Sequence, residues 1–472
     1  MHGHSTRRVM IFLERGSEIM TRSDAELLNL QFHRQTVPPV WSSGEGVWLT
    51  NEGGERYLDA SGGPMVVNIG HGRSEVADTA HKQISTLSYA MPGYAIESRL
   101  ELTERIQKLT PNGMDRVWYG SGGSEAVEGA LKFAIQTQQV SGRPDKFKIL
   151  GRQNAYHGST LFTLSAGDMP ERRAPYLKLL PDVVQDIQPV ADCNCYHCPL
   201  GLEFPNCELA CADDLETRIL AEGPETVAAF IAEPIVAAAA GVVAPPTPEY
   251  FRKIREICDK YDIIFIADEV VTGFGRTGLP FASQHWDVLP DIIVFAKGVA
   301  SGYAPLSGFI AQDALVDRFD NAGQRFNTLF TYSEHPVSCA IGAKVQEIMD
   351  EENLIQRSAQ MGDYLGRKLE ALSDISIVGE LRGQGTLRGI EIVANQETGD
   401  PFPADINVAV DVQKHLYKRN ILHYLGYWRD DLGQGAQLIL APPFVIEESE
   451  IDLLVETLGE VLDDRGAAYR KM

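Results

Sequence analysis

Between about residue 74 and residue 339, short apolar runs alternate with longer segments whose apolar positions recur with the spacing of a helix face. Such runs, rich in β-branched residues and bounded by turn residues, predict strands that are buried on both faces. The predicted strands are Arg116–Tyr119, Phe147–Leu150, Val227–Ala232, Ile263–Ala267, Ile292–Ala296 and Gly308–Ala311. Alternation of strands and helices predicts a mostly parallel sheet flanked by helices, and therefore an α/β fold.

The two ends of the chain show a different pattern. Residues 45–59 alternate around a Gly-rich turn and predict a β-hairpin. After about Pro336 a long helical stretch precedes two predicted strands, Thr386–Val393 and Gln437–Leu440, and a helix, Glu447–Leu462. We therefore predict an N-terminal extension (1–26), a small α+β domain built from residues 27–73 and 336–472, and a large domain (74–335).

Composition narrows the class of protein. The chain has 472 residues, 44% of them hydrophobic, and a formal net charge of −23, which disfavours nucleic acids and anionic membranes as partners. No apolar run reaches the roughly 18 residues of a membrane-spanning helix, and the run Val9–Leu13 is shorter than a signal-peptide core. We expect a cytoplasmic protein, with translation beginning at Met1 or at Met20.

A cysteine-rich insert is predicted over residues 192–212, where five of the seven cysteines fall. Their spacing, C-x-C-x2-C followed by C-x3-C, suits zinc, with His197 as a further ligand. The prolines and glycine between them instead indicate a surface loop of reduced thiols. We assign no metal ligand, and both interpretations stay open.

An acid and a lysine carry the candidate chemistry. Asp268 follows the predicted strand Ile263–Ala267, and Lys297 follows Ile292–Ala296. The carboxyl ends of parallel strands meet at one edge of a sheet, where ligands bind. Pyridoxal phosphate requires an amine that holds it as a Schiff base and a carboxylate that keeps its ring nitrogen protonated. The pair therefore predicts a site for this cofactor.

The segment from Asp268 through Gly278, which ends in Gly-Phe-Gly-Arg-Thr-Gly, resembles the signature of the class III (ω-amino acid type) aminotransferases. The resemblance extends from about Leu27 onward. It implies the fold of fold-type I pyridoxal-phosphate enzymes, with a mostly parallel, seven-stranded-type sheet. Asp268 matches the partner of the pyridine nitrogen and Lys297 the Schiff-base lysine. Because this lysine must be neutral to react, burial and nearby positive charge should lower its pKa.

Other positions match the family's cofactor contacts. The small-residue turn at Ser121–Glu125 opens a predicted helix whose free N–H groups suit a phosphate, and Gly123 and Ser124 match the phosphate-binding pair. Further matches are Tyr156, which stacks on the ring, together with His157, Glu233 and Val270. Thr331 matches a residue that reaches the phosphate of the neighbouring subunit, which implies an obligate homodimer with shared sites. Glu334 stands where the family usually has Gly.

The substrate side departs from one branch of the family. Relatives that act on ornithine or 4-aminobutyrate carry Gln at the position of Val271 and Arg at that of Ile439, a residue that clamps a carboxylate. Both departures resemble the ω-amine:pyruvate branch, whose acceptor carboxylate is bound by a mobile arginine. Arg429 is our candidate, the alternative being a surface arginine paired with a neighbouring aspartate. Pocket walls are expected from Met65, Trp41 and Tyr94, besides Tyr156.

These matches predict a transferase, an aminotransferase (EC 2.6.1.-) that moves an amino group from a primary amine or ω-amino acid to pyruvate or another 2-oxo acid. Racemisation, decarboxylation and elimination from an amino phosphate stay open, because the same cofactor and lysine serve each of them. A non-enzymatic regulator is the other alternative, although no basic patch accompanies the domain.

Overall fold

The computed structural model describes residues 39–178, 187–239, 241–403, 405–430 and 433–471, apart from the side chains of residues 171 and 427–434. The predicted N-terminal extension and both candidate start residues lie outside this part of the chain. The strands are β1 Trp41–Glu45, β2 Trp48–Asn51, β3 Arg56–Asp59, β4 Arg116–Gly120, β5 Lys148–Leu150, β6 Val227–Ala232, β7 Ile264–Asp268, β8 Ile292–Phe295, β9 Ser307–Ala311, β10 Val378–Gln384, β11 Leu387–Ile392, β12 Ile421–Leu422, β13 Tyr424–Asp430 and β14 Gly433–Leu440.

Helices cover the sheets and connect them. They are α1 Gly62–Met65, α2 Ser74–Thr86, α3 Glu97–Gln107, α4 Gly123–Val140, α5 Leu161–Ala166, α6 Pro170–Leu177, α7 Ala210–Glu222, α8 Glu249–Tyr261, α9 Asp313–Asn321, α10 Pro336–Glu351, α11 Leu354–Leu369, α12 Val408–Tyr417 and α13 Glu448–Tyr469, with 3₁₀ turns at Ala282–Trp286, Lys297–Val299 and Glu370–Leu372. Among the described residues, no helix has both the length and the apolar composition that crossing a bilayer requires.

The large sheet has the strand order β4-β9-β8-β7-β6-β5. Each of its strands lies within one residue of a predicted one. The four strands β5 to β8 run parallel, and β9 is antiparallel to both of its neighbours. A single parallel bridge between Arg152 and Val190 continues the sheet beyond β5 in the place of a seventh strand. Every residue of β6, β7 and β8 is buried, as continuous apolar runs predict.

Two smaller sheets are formed from the ends of the chain. The first has the order β1-β2-β3-β12, in which Ile421 and Leu422 pair with Leu58 and Asp59. The second has the order β10-β11-β14-β13. The predicted hairpin and both predicted C-terminal strands are present. Strand β1 was not expected from its sequence, Trp-Ser-Ser-Gly-Glu, which lacks alternation. The boundaries of the two domains stay a prediction.

Candidate functional site

Three ionisable residues stand at the carboxyl ends of three neighbouring parallel strands. Glu233 follows β6 directly, Asp268 is the last residue of β7, and Lys297 begins the 3₁₀ turn that follows β8. Since β6 pairs with β7 and β7 with β8, these residues share one edge of the large sheet. This is the edge where open α/β sheets bind their ligands.

Asp268 is held by two hydrogen-bonding groups. Its Oδ2 lies 2.7 Å from Nδ1 of His157, and its Oδ1 accepts a hydrogen bond of 3.1 Å from the backbone N–H of Val270. Asp268 and His157 are both buried, at 4% and 2% exposure. Nε2 of His157 is buried and has no partner among the described residues. These two contacts fix the orientation of the Asp268 carboxylate, as is required of a group that pairs with a cationic ring nitrogen.

Glu233 is the second buried acid of this edge. Burial, reinforced by the charge of Asp268, raises its pKa to about 7. The charges of His157 and Arg152 and the backbone N–H of Tyr156 act in the opposite direction. The Oε2 atom of Glu233 has no hydrogen-bond partner among the described residues. A buried oxygen of this kind is costly unless a ligand supplies a partner, so the atom marks space for a polar group.

Lys297 combines an unusual backbone with a lowered pKa. Its φ of 45° lies in the left-handed region, which residues other than glycine adopt mainly at constrained positions. Removal of the ammonium group from water lowers its pKa to about 8; Asp268 and Glu233 oppose this effect, and the charge of Arg276 adds to it. Burial and a nearby cation are the two causes that the sequence argument expected. Near neutral pH a useful fraction of this amine is unprotonated.

The start of helix α4 faces the same edge. The helix begins at Gly123, and its N-terminal flanking residue Gly122 provides no side-chain cap, so first-turn N–H groups stay available for an anion. A Cβ at Gly123 would lie 3.3 Å from the side chain of Val270, beside Asp268. Oγ of Ser124 accepts a hydrogen bond of 3.0 Å from the N–H of Ser159, in the loop that carries His157. The structure thus brings the predicted phosphate pair next to the acid and the lysine.

Tyr156 lies in the same loop. It is half-buried, and its hydroxyl lies 3.0 Å from Oγ of Ser159. The guanidinium of Arg172 stands 5.0 Å from the centre of the Tyr156 ring, within the range of a cation–π contact. Sequence reasoning did not anticipate Arg172, because nothing in its local pattern distinguishes it from a surface arginine at the start of a helix.

These positions together fit pyridoxal phosphate. A helix start without a side-chain cap suits its phosphate, a carboxylate fixed by His157 suits its ring nitrogen, and an amine with a lowered pKa suits its aldehyde. When bound, this group supplies an electron-accepting ring beside the reacting carbon.

The predicted substrate residues fall into two groups. Met65 and Ile439 are buried in one apolar cluster, and Val271 packs against that cluster. Trp41 is instead part of the N-terminal sheet, where its ring packs edge-on against Tyr57 at 5.2 Å. Tyr94 is 61% exposed. Met65 therefore shares this cluster with Ile439 and Val271, the two positions that depart from the family pattern. Trp41 and Tyr94 lie outside the cluster.

Two further predicted residues lie on other elements. Thr331 is exposed, and its backbone carbonyl accepts a hydrogen bond of 3.0 Å from the hydroxyl of Tyr89. Arg429 lies in β13, where its backbone pairs with Gln434 of β14, and its side chain is outside the described part of the structure. The interpretation of Arg429 as a carboxylate-binding residue stays a prediction.

Two buried arginines support the site, and sequence reasoning missed both. Arg152 donates to the backbone carbonyl of Glu233 and, at 3.7 Å, to the Sγ of Cys193. Arg276 donates to the carbonyls of Val67, Ala441 and Pro442, to Oδ1 of Asn68 and to Oγ1 of Thr386. Both arginines are fully buried. The position of Arg276 in the Gly-Phe-Gly-Arg-Thr-Gly segment was the only signal available, and it did not reveal these distant partners.

The cysteine-rich insert contacts the support of the site through Cys193, to whose Sγ Arg152 donates. All seven cysteines of the chain are free thiols. Within the described ranges, no group of three or more His, Cys, Asp or Glu side chains is arranged to hold a metal ion. The Nε2 of His197, the further zinc ligand considered above, is bonded to Glu391.

Comparison with known proteins places the chain in a family. The profile described as "Aminotransferase class-III" matches residues 32–462. A probable aminotransferase of Mycobacterium tuberculosis is 37% identical over 91% of each chain. A putrescine–pyruvate aminotransferase of Pseudomonas aeruginosa is 36% identical, also over 91% of each.

Solved structures agree with the sequence relatives. An (S)-enantioselective ω-transaminase from Thermomicrobium roseum superposes with a TM-score of 0.83 at 34% identity, covering 93% of this chain and 98% of its own. A transaminase from a marine Virgibacillus gives a TM-score of 0.83 at 32% identity, covering 91% and 94%. The α/β fold with the strand-end site is therefore that of fold-type I transaminases. The chain belongs to the class III aminotransferases, which use pyridoxal phosphate to transfer an amino group from a donor to a 2-oxo acid.

Proposed function

We propose that this aminotransferase takes its amino group from a primary amine or ω-amino acid and delivers it to pyruvate or another 2-oxo acid. The observation that carries the proposal is the apolar cluster to which the buried Ile439 and Met65 both belong, with Val271 packed against it. Because Ile439 stands where relatives have a carboxylate-binding arginine, this wall favours a donor without an α-carboxylate. Two similar proteins, a putrescine–pyruvate aminotransferase and an ω-transaminase, support the same substrate class.

Each residue of the strand-end cluster has a proposed role. Lys297 holds the cofactor covalently and then moves a proton at the carbon that bears the amino group, for which its neutral amine is the base. Asp268 keeps the ring nitrogen protonated, and His157 orients Asp268 through their 2.7 Å contact. Tyr156 lies against the ring. The remaining proposed cofactor contacts are Gly123, Ser124, Glu233, Val270 and Thr331.

The acceptor needs a cation for its carboxylate. We assign this role to Arg429, which lies in the hairpin of β13 and β14, on the strand that pairs with the one carrying Ile439. An arginine that binds only the acceptor allows one pocket to take an apolar amine first and an anionic keto acid second. The alternative role, an ion pair with a neighbouring aspartate on the surface, predicts that Arg429→Ala leaves the KM for pyruvate unchanged.

A homodimer with shared sites is the proposed assembly. Residues 89–94 and 329–335, here called the loop pair, expose large apolar side chains: Met91 at 59%, Tyr94 at 61%, Leu329 at 61% and Tyr332 at 62%. Exposed apolar residues grouped in this way mark an interaction surface. Thr331 stands among these residues. In the proposed dimer, Thr331 of one subunit would therefore reach the phosphate site of the other subunit.

The half-reaction tests the donor class. The holoenzyme is mixed with an amine, a diamine or an α-amino acid, each without a keto acid, and loss of the visible absorbance of the bound cofactor is followed. Primary amines should bleach it faster than the α-amino acids. Faster bleaching by ornithine than by any simple amine would contradict the proposed donor, and racemisation of an amino acid without bleaching would contradict transamination.

A pair of variants sharpens this test. Val271→Gln restores the residue of the carboxylate-binding relatives at a half-buried position, and it should shift the ratio of specificity constants towards ω-amino acids. Ile439→Arg should shift that ratio further if it folds, since Ile439 is fully buried. The matched control is Val316→Gln, which adds the same amide at a half-buried position of α9, outside the proposed site.

A further inference from the structure

The five cysteines of the insert surround one small cavity. A space of about 20 Å³ is lined by Cys193, Cys195, Cys198, Cys207 and Cys211, together with apolar side chains such as Leu202 and Phe204. These thiols come from both halves of the C-x-C-x2-C and C-x3-C pattern, which are separated in sequence. The loop therefore folds so that these five residues line one cavity, and neither the proposed cofactor site nor the proposed substrate pocket uses their thiols.

The thiols differ in their access to solvent. Cys195 is exposed, Cys198, Cys207 and Cys211 are half-buried, and Cys193 is buried. The two cysteines outside the insert, Cys258 in α8 and Cys339 in α10, are buried. An oxidant in solution therefore reaches Cys195 first, and the chain carries its own unreactive reference thiols.

A metal site is the competing use of these thiols. The described residues show no group of three suitable ligands arranged for a metal ion, and His197 is bonded to Glu391. Two-electron chemistry between a pair of thiols needs only two neighbours, whereas zinc needs four converging ligands. The arrangement thus favours a thiol pair.

We propose that the insert is an oxidation site in which Cys195 and Cys207 form a disulfide. With a peroxide as oxidant, one thiol becomes a sulfenic acid and releases a water molecule. The sulfur of the second thiol then displaces the hydroxyl group, which leaves as a second water with that thiol's proton. Two thiols and one hydrogen peroxide give one disulfide and two waters, and the sulfur atoms lose the two electrons that the peroxide gains.

The choice of partner follows from the cavity, which both Cys195 and Cys207 line, and from the exposure of Cys195. Burial of the Cys195 sulfur raises its pKa, and the groups Cys207, Cys198, Glu380 and Asp192 raise it further. The guanidinium of Arg382, which donates to Oδ1 of the neighbouring Asn194, is itself paired with Glu380 and Glu391. The disulfide should therefore form slowly at neutral pH, form faster as the pH rises, and resist reduction by monothiols such as glutathione once it has formed.

Mass spectrometry of the oxidised holoenzyme tests the proposal. Full-length protein is reduced, desalted and analysed for zinc, and then treated with hydrogen peroxide at pH 7 and pH 8.5 before its remaining thiols are alkylated. Trypsin leaves the five cysteines on one peptide, but cleavage after Glu203 and Glu208 isolates Cys207 from the other four. We expect a crosslink between the peptides of Cys207 and Cys195, free thiols at Cys258 and Cys339, and faster formation at the higher pH.

Variants assign the pair. Cys195→Ser and Cys207→Ser should each abolish the crosslink, whereas Cys198→Ser, which removes a thiol of the same cavity, should keep it. Wild-type protein should gain a few degrees in its unfolding midpoint on oxidation, because the crosslink shortens a loop in the unfolded chain, and Cys195→Ser should gain nothing. Thiols that all stay alkylatable, a disulfide from Cys195 to another residue, or zinc bound at one per chain that protects the thiols would each overturn the proposal.

Discussion

The buried residues at the strand ends and the loop pair at the surface are built in opposite ways. Glu233, Asp268 and His157 are each at most 4% exposed, and strands and loops of the same chain surround them. The loop pair holds side chains that are about 60% exposed, and contacts of Tyr89 with Thr331 and Tyr332 join its two segments. The first region is enclosed by its own chain, whereas the second exposes the apolar surface on which the proposed dimer would form. Variants in the two regions should therefore fail in different ways.

The largest effect should come from Lys297→Ala. Turnover should fall by several orders of magnitude, because this change removes both the amine that holds the cofactor and the base that moves the proton. Cofactor binding should persist, since Asp268, Tyr156 and the start of α4 are unchanged. Borohydride reduction of wild-type holoenzyme should attach the cofactor to the peptide that contains Lys297. A label on Lys260, or an unchanged turnover, would refute the assignment.

The second prediction compares the loss of turnover on changing Asp268 with the loss on changing His157. Asp268→Asn should lower turnover by roughly 10²–10⁴-fold, because a neutral amide cannot keep the ring nitrogen protonated. His157→Asn should cost less, since it removes only the group that orients Asp268. Turnover is measured at saturating donor and cofactor, together with the visible absorbance of the loaded enzyme. A larger loss for His157→Asn than for Asp268→Asn would show that the histidine does more than orient.

A variant in the loop pair should have a smaller effect than the variants of Lys297 and Asp268. Glu334 accepts a hydrogen bond of 3.1 Å from the N–H of Gly93 and forms an ion pair of 2.7 Å with Arg99, so it ties the two loops together. Its φ of 60° favours glycine, the residue usual in the family. Glu334→Gly should raise the dimer dissociation constant and the KM for the donor by about three- to tenfold while kcat changes little.

The conservative variant supplies the comparison for that experiment. Glu334→Gln keeps an acceptor for the N–H of Gly93 and loses only the ion pair, so it should lie between wild type and Glu334→Gly. Analytical ultracentrifugation measures the dimer, and steady-state kinetics measures KM. A fall in kcat of the size expected for Asp268→Asn would mean that the two regions are not separable.

The last prediction concerns stability and pH and not activity. The pKa of Glu233 is about 7 in the folded protein without cofactor and is expected near its ordinary value of 4.5 in the unfolded chain. Between these values the folded state binds the extra proton, so this group's contribution is present below pH 4.5 and is lost as the pH rises through 7. The loss is on the order of 3 kcal/mol. Glu233→Gln should flatten the fall in the apoenzyme's unfolding midpoint between pH 5 and 8, whereas Glu334→Gln should not.

The two regions also differ in how far sequence predicts them. The acids and the lysine follow from apolar runs, because a run that forms a buried parallel strand necessarily delivers its next residue to the ligand edge. All six predicted strands of the large sheet are present for the same reason. The partners of Arg152 and Arg276 could not be predicted, because they come from distant segments and leave no periodic pattern. The role of Trp41 in the pocket stays a prediction, and its position depends on how β1 pairs, which the sequence of β1 does not indicate.

The buried Arg276 has a consequence for the biosynthesis of this enzyme. Its guanidinium joins carbonyls near both ends of the chain, at Val67 and Pro442, and its charge contributes to the lowered pKa of Lys297. In a nascent chain that lacks its C-terminal segment, this arrangement cannot exist, and a hydrated lysine has a pKa near 10.4 and stays protonated. The amine is therefore expected to acquire its lowered pKa only as the protein folds, mainly through its burial and in smaller part through the charge of Arg276.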